Sequence, residues 1–219
     1  MMLPLMFLLA AATAPAAPAD GVYTYTVTVA GESTGKTAIT LTHTAAGVQL
    51  TESAAGSFGG SDFSATSSLA LDGTLAPASY SAIYNPPGRT VHAAIAFNGA
   101  TANETADNGA LKFNLGADTK HFVVLDGTLF SGFFILPAQL QAWSTPPVMA
   151  LSPMFGHAGS IAVDAALRAD RPKGVPARDL ALSVSDPVQF TLWYDPSTLI
   201  VDELDVPLQS ASYVRSGAR

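Results

Sequence analysis

Cysteine is absent from this 219-residue chain, which excludes disulfides, thiolate metal sites, thiol nucleophiles and a lipid-modified N-terminal cysteine. Charge is also scarce, at 12% of residues, and ten basic against seventeen acidic side chains leave a net charge of -7. That balance is a poor match for phosphate backbones or anionic lipid, so no nucleic acid partner is expected. After the first dozen residues no apolar run is long enough to cross a bilayer, so no stable membrane span is expected. The four histidines, His43, His92, His121 and His157, show no His-x-His or His-x-x-x-His spacing, and no metal or cofactor is expected. Glu52, Glu104, Glu203 and the aspartates form no tight pair suited to acid and base roles.

What is present begins at the N-terminus. Residues 1–19, MMLPLMFLLAAATAPAAPA, carry no charged side chain and include an apolar run from Leu3 to Ala12. Small residues precede two candidate cleavage points, after Ala16 and after Ala19. This is the pattern of a secretory signal removed before Asp20, which places the protein in the periplasm or outside the cell. The remaining 20–219 is one domain, hydrophobic enough to be globular and held by packing alone.

From Asp20 to Ala106 the hydrophobic period is two. Tyr23, Tyr25, Val27 and Val29 alternate with Thr24, Thr26 and Thr28, and Ile39 with Leu41, Val48 with Leu50, and Ala93, Ile95 and Phe97 continue the pattern. Asp72-Gly73, Asn85-Pro86-Pro87-Gly88, Asn98-Gly99 and Asn108-Gly109 punctuate it as tight turns. Strands resume at Ser160 to Leu167, Leu180 to Val184, Val188 to Tyr194, Leu199 to Val206 and Ser212 to Arg215. The expected fold class is all-β: a single strongly curved antiparallel sheet or half-barrel of about 10–12 strands with a short helical insert near 126–143.

The stretch AGESTGKT, residues 30–37, fits three catalytic patterns at once. Ala30, Gly35, Lys36 and Thr37 match a phosphate-binding loop, Gly31, Ser33 and Gly35 a nucleophile elbow, and Ser33 with Lys36 a Ser-x-x-Lys pair. All three chemistries need a helix to follow. TAITLTHT, the segment that does follow, alternates threonine with apolar residues and is full of β-branched side chains, so the expectation is a hairpin turn. No catalytic residue is assigned, and a hydrolase with an unrecognised triad stands as the least favoured reading.

The insert is the most informative segment. In Leu125 to Trp143 the side chains Leu129, Phe133, Leu136, Leu140 and Trp143 recur at helical spacing, Phe130 and Phe134 widen the apolar face, and Asp126 or Thr128 is available as N-cap. Pro137 should kink or divide the helix. This face either seals an open-ended sheet as ordinary core or covers an apolar small molecule or lipid, and these seven side chains are the candidate ligand contacts. A second cluster, Arg168, Arg171, Lys173 and Arg178, sits in LRADRPKGVPARD among Asp170 and Asp179. It is either a solvated connection or a docking surface for an envelope protein partner.

Five stretches carry a resemblance: YTYTVTVAGESTG at 23–35, LDGTLAPASY at 71–80, VLDGTLFSGFFIL at 124–136, FTLWYDPSTLIVDELDVP at 190–207 and SYVR at 212–215. In this order the chain resembles a family of exported bacterial domains of unknown function, similar in fold to periplasmic lipoprotein carriers. The resemblance implies a curved antiparallel sheet wrapped around helices that receives acyl chains, and a purely structural hairpin at Gly31 to Gly35. It implies no catalytic residues. At Ser131-Gly132-Phe133 this chain is more apolar than the family pattern. The combined expectation is a non-enzymatic exported protein that binds an apolar ligand, with a structural or interaction role in the envelope as the alternative.

Overall fold

The computed structural model describes residues 16–58, 60–107, 109–117, 119–143, 148–153, 157–161, 163–166, 171–185 and 189–217. Most of the expected signal segment, residues 1–15, and Arg168 with Asp170 lie outside the described residues.

Eight strands come first: β1 (Gly21–Val29), β2 (Glu32–Thr44), β3 (Gly47–Phe58), β4 (Ser61–Asp72), β5 (Pro77–Asn85), β6 (Val91–Asn98), β7 (Thr101–Ala106) and β8 (Gly109–Asn114). Each pairs antiparallel with the next, as the period-two pattern and turn residues require. After β9 (His121–Val124) comes one helix, α1 (Ser131–Trp143), then β10 (Val148–Ser152), β11 (His157–Ile161) and β12 (Val163–Ala166). The chain ends with β13 (Leu180–Val184), β14 (Phe190–Tyr194), β15 (Val201–Val206), a 3-10 turn (Pro207–Gln209) and β16 (Ala211–Arg215).

The main sheet has 13 strands in the order β12-β13-β14-β15-β16-β1 through β8, closed at its centre by antiparallel pairing of β1 with β16. Its terminal strands β8 and β12 do not pair with each other, so it is a curved sheet and not a closed barrel. The expected curved antiparallel sheet with one helical insert is therefore present. A second sheet, β11-β10-β9, was not separated by periodicity. In it β9 and β10 run parallel, and the stretch expected as one strand from Ser160 to Leu167 is divided between the two sheets.

AGESTGKT is a hairpin. Ala30 and Gly31 occupy the turn with φ of 52° and 84°, the left-handed pair that a two-residue loop between twisted strands requires. Gly35 has a different role: it faces Gly56 across β2 and β3, where a Cβ on either would lie 2.5 Å from Ala55 O or 2.4 Å from Thr34 O. Two glycines allow the strands to bend this tightly beside the bulge at Val27/Thr28. No helix follows Lys36, so the phosphate-loop and elbow geometries are not formed.

Alternation fixes which side chains face inward. Tyr23, Ile39, Glu52, Ser67, Ala82 and Ala93 form one cross-strand row, and Leu41, Leu50, Leu69, Tyr80, Ile95 and Glu104 form the next. The opposite face carries Thr24, Thr40, Thr51, Thr66 and Ser68. Helix α1 lies in the concavity and is buried on every side from Ser131 to Gln139, as an apolar core helix should be. It runs through Pro137 as one element.

Candidate functional site

Two buried carboxylates hold the chain entering α1 against the sheet. Glu52, on β3, accepts N–H bonds from Phe130 at 2.8 and 2.9 Å and from Ser131 at 2.7 Å, and the Thr37 hydroxyl donates to it at 2.7 Å. A helix N-terminus leaves such N–H groups without intrahelical partners, and a carboxylate there also faces the positive end of the helix dipole. The expected N-cap, Asp126 or Thr128, is thus replaced by a residue 78 positions away. Asp126 is committed elsewhere. Its carboxylate accepts the hydroxyls of Tyr80, at 2.8 Å, and Tyr84, together with the Thr128 N–H at 2.9 Å.

Burial raises the proton affinity of both acids, Glu52 and Asp126, although the hydrogen bonds they accept oppose the shift. Glu104, inward on β7, is pushed up to about 7 by burial and then by the Asp126 charge. Contact between helix and strand is also tight at Gly132, where a Cβ would lie 1.7 Å from Val124 O. Ser131 Oγ is 3.2 Å from Ser67 Oγ.

The seven candidate ligand contacts separate into two groups. Leu129, Phe130, Phe133, Phe134 and Leu136 are fully buried. Phe130 packs edge-on to Tyr25 at 4.4 Å and stacks on Tyr213 at 5.2 Å, and Phe133 meets Phe190 at 5.0 Å. Leu140 and Trp143 are half-buried on the other end of α1. Trp143 donates from Nε1 to Thr74 O at 2.9 Å and stacks on His121 at 4.2 Å. Phe133 itself is packed in the core between Phe130 and Phe190.

An open apolar groove of about 310 Å³ remains at the mouth, on the side of α1 where the chain enters it. Val27, Val29, Phe63, Ala211 and Tyr213 form its walls, Gly127 and Thr128 of the segment held by Asp126 form its floor, and Thr34 and Gln209 stand at its edge. Burial raises the Tyr213 phenol, which stays neutral. Periodicity could mark these residues as inward-facing, but only folding brings β1, β4, β16 and the 126–128 segment together. Two larger hollows lie elsewhere: one of about 430 Å³ beside Thr26, Thr28 and Arg215 has more polar walls, and one of about 380 Å³ between Ile83, His92 and Asp107 is a shallow recess on the outer face of the sheet.

The other sequence candidates lie apart from the groove. Among the described residues no group of three His, Cys, Asp or Glu side chains could hold a metal ion. His43 pairs with Asp20 at 2.6 Å and His92 with Asp107 at 3.3 Å, both at the surface. In the basic connection, Arg178 Nε lies 2.9 Å from Asp195 Oδ2 and Arg171 donates to Asp179 O at 3.2 Å, leaving Lys173 exposed. No helix among the described residues is long and apolar enough to cross a membrane.

No family model matches the chain, and no curated protein matches it. Two solved structures match it. One is a beta-barrel-like protein of domain of unknown function DUF1849 from Brucella abortus, with a TM-score of 0.50 at 9% identity, over 93% of this chain and 96% of that one. The other is a DUF1089 family protein from Pseudomonas aeruginosa, with a TM-score of 0.47 at 10% identity, over 79% of this chain and 90% of that one. The likeness to the first extends over nearly the whole of both chains and is one of fold.

Proposed function

We propose that this is an exported, non-enzymatic protein that binds one small apolar molecule in the groove between Phe63 and Tyr213. The observation that carries the proposal is the groove itself: an open, apolar recess with two aromatic walls, beside a helix whose residues Ser131 to Gln139 are buried. Its 310 Å³ lies at the lower end of the range for ligand pockets. Taking about 30 Å³ per water-sized group, the space admits on the order of ten heavy atoms. That favours a single short alkyl chain or one ring system over the several chains of a lipoprotein. Each buried methylene contributes about 0.8 kcal/mol, so a chain of this length binds without any charged contact. Thr34 and Gln209, at its edge, supply hydrogen bonds to a neutral polar end.

Leu129, Phe130, Phe133, Phe134 and Leu136 then act as the packed support of the floor, and the helix is a plug rather than a lid. The test is fluorescence titration with an apolar naphthalene dye, followed by displacement with alkanols of increasing length. Displacement should strengthen with chain length and then level off at about ten heavy atoms. Ala211→Trp, which fills the groove, should abolish dye binding while the circular dichroism spectrum is kept. Equal dye binding by wild type and Ala211→Trp would overturn the proposal, as would an extract of the natively purified protein in which multi-chain lipids are bound.

A further inference from the structure

A second group of buried polar side chains lies well away from the groove, at one end of β13 to β16. Asp179 precedes β13, Asp195 follows β14, Asp202 is the second residue of β15 and Arg215 ends β16, so all four lie at the same end of these strands. Asp179 is fully buried, and Asp202 almost so. Neither oxygen of Asp179 accepts a hydrogen bond from an N–H or O–H of the described residues. The oxygens of Asp202 accept none either, although Arg215 Nε lies 2.6 Å from Asp202 Oδ1 as an ion pair off the hydrogen-bonding axis. Two ionised carboxylates shut from water here would leave the oxygens of both without a hydrogen-bond donor, an arrangement that costs several kcal/mol.

We propose that Asp179 and Asp202 share one proton, carried by Asp179 and donated to the Asp202 carboxylate, and that this proton is a latch holding the 171–179 connection against the end of the sheet. A proton satisfies the geometry where a metal ion does not. Asp202 already has a cation in Arg215, Asp195 is taken by Arg178 and by the N–H and hydroxyl of Ser197, and Arg171 is turned to the Asp179 carbonyl. Among the described residues, Arg171, Arg178, Arg215 and Asp195 are the charged groups that face the pair. A further divalent cation would stand among three guanidinium groups. Burial first, then the contact with Asp202, pushes the Asp179 carboxyl up to about 7. Asp195, held by Ser197 and Arg178, stays at about 2 and so remains the charged partner of Arg178 throughout.

The backbone shows what the latch holds. Asp179 N donates to Pro176 O at 3.1 Å and Val175 N to Pro172 O at 3.3 Å, two consecutive turns that carry the connection onto β13. When the proton is lost to solvent, like charges face each other in a site that water does not reach, and the turns are pushed from the sheet. The raised proton affinity sets the sign: the latch is closed at low pH and is released as pH rises through about 7.

Carbon NMR of the aspartate carboxyl groups, with hydrogen exchange at Val175 and Asp179, tests this directly on the whole protein. One carboxyl carbon should inflect near pH 7, and the inflection should vanish in Asp179→Asn. After correction for intrinsic rates, exchange at both amides should rise at least about tenfold between about pH 6 and about pH 8.5 in wild type, and stay flat in Asp179→Asn, whose amide donates at every pH. An Asp179 carbon that titrates in the ordinary range below about pH 5 would overturn the proposal even if the variant failed to fold. The same exchange rise in Asp179→Asn would overturn it too, as would a titration that calcium chloride displaces, which would assign the pair to a cation.

Discussion

The Glu52 carboxylate and the Phe130 backbone N–H, from residues 78 positions apart, are joined by hydrogen bonds of 2.8 and 2.9 Å inside the sheet. A strand side chain therefore supplies the cap that a helix usually finds in its own flanking residues. Glu52→Ala leaves the N–H groups of Phe130 and Ser131 buried and unpaired, and should lower unfolding stability by about 3 kcal/mol or more. Glu52→Gln keeps one acceptor and should lose less. Urea unfolding of the three proteins gives the order, and Glu52→Ala at wild-type stability would refute the capping role.

Gly132→Ala reverses the usual rule for helices. Alanine inside a helix is ordinarily better than glycine by about 1 kcal/mol. Here the added methyl would sit 1.7 Å from Val124 O, so the helix must lift off β9. The expected result is a loss of roughly 3 kcal/mol or more, or failure to fold. Thermal unfolding measures it, and a stabilised Gly132→Ala protein would contradict the close approach.

Stability should pass through a maximum in mildly acidic solution. Burial holds Glu52 and Asp126 above the usual carboxylate range and brings Glu104 to about 7, with Asp126 adding to the shift. Each raised acid binds its proton more tightly in the folded chain than in the unfolded one. Its contribution is complete below the unfolded value of about 4 and disappears as pH rises through the folded value, about 7 for Glu104. Asp195 acts in the opposite direction. It is lowered to about 2 by Ser197 and then Arg178, and its contribution is present above 3.8 and lost toward pH 2.

Glu104→Gln should accordingly match wild type near pH 5 and exceed it by about 1–2 kcal/mol near pH 8, because the amide removes the ionisation and keeps the shape. Denaturant midpoints across that range check the prediction. Parallel pH profiles for the two proteins would show that Glu104 does not titrate near 7.

Much of the architecture was legible along the chain because its contacts are local. Thr24, Thr26 and Thr28 on one side and Tyr25 and Val27 on the other set the register of β1 against β2, and Ala30-Gly31 and Asn98-Gly99 closed hairpins whose strands are neighbours in sequence. Glu52, between inward Leu50 and Ala54, and Glu104, between Ala102 and Ala106, were signals of the same kind: a carboxylate on the apolar parity of a strand. Parity revealed that they face inward, but not what they meet.

Local chemistry thus determined the strands, the turns, the curved antiparallel sheet and the apolar character of the insert, since each depends on residues a few positions apart. Tertiary structure decided the rest. The start of α1 at Ser131 and the role of Asp126 follow from Glu52, Tyr80 and Tyr84, which reach them only across the concavity. The parallel pairing of β9 with β10 spans the helix between them. The groove exists because Val27, Phe63 and Tyr213 converge from three separate strands beside the segment that enters α1. Periodicity ranks side chains as inward or outward; whether the inside is filled or empty depends on the summed volumes of residues far apart in the chain.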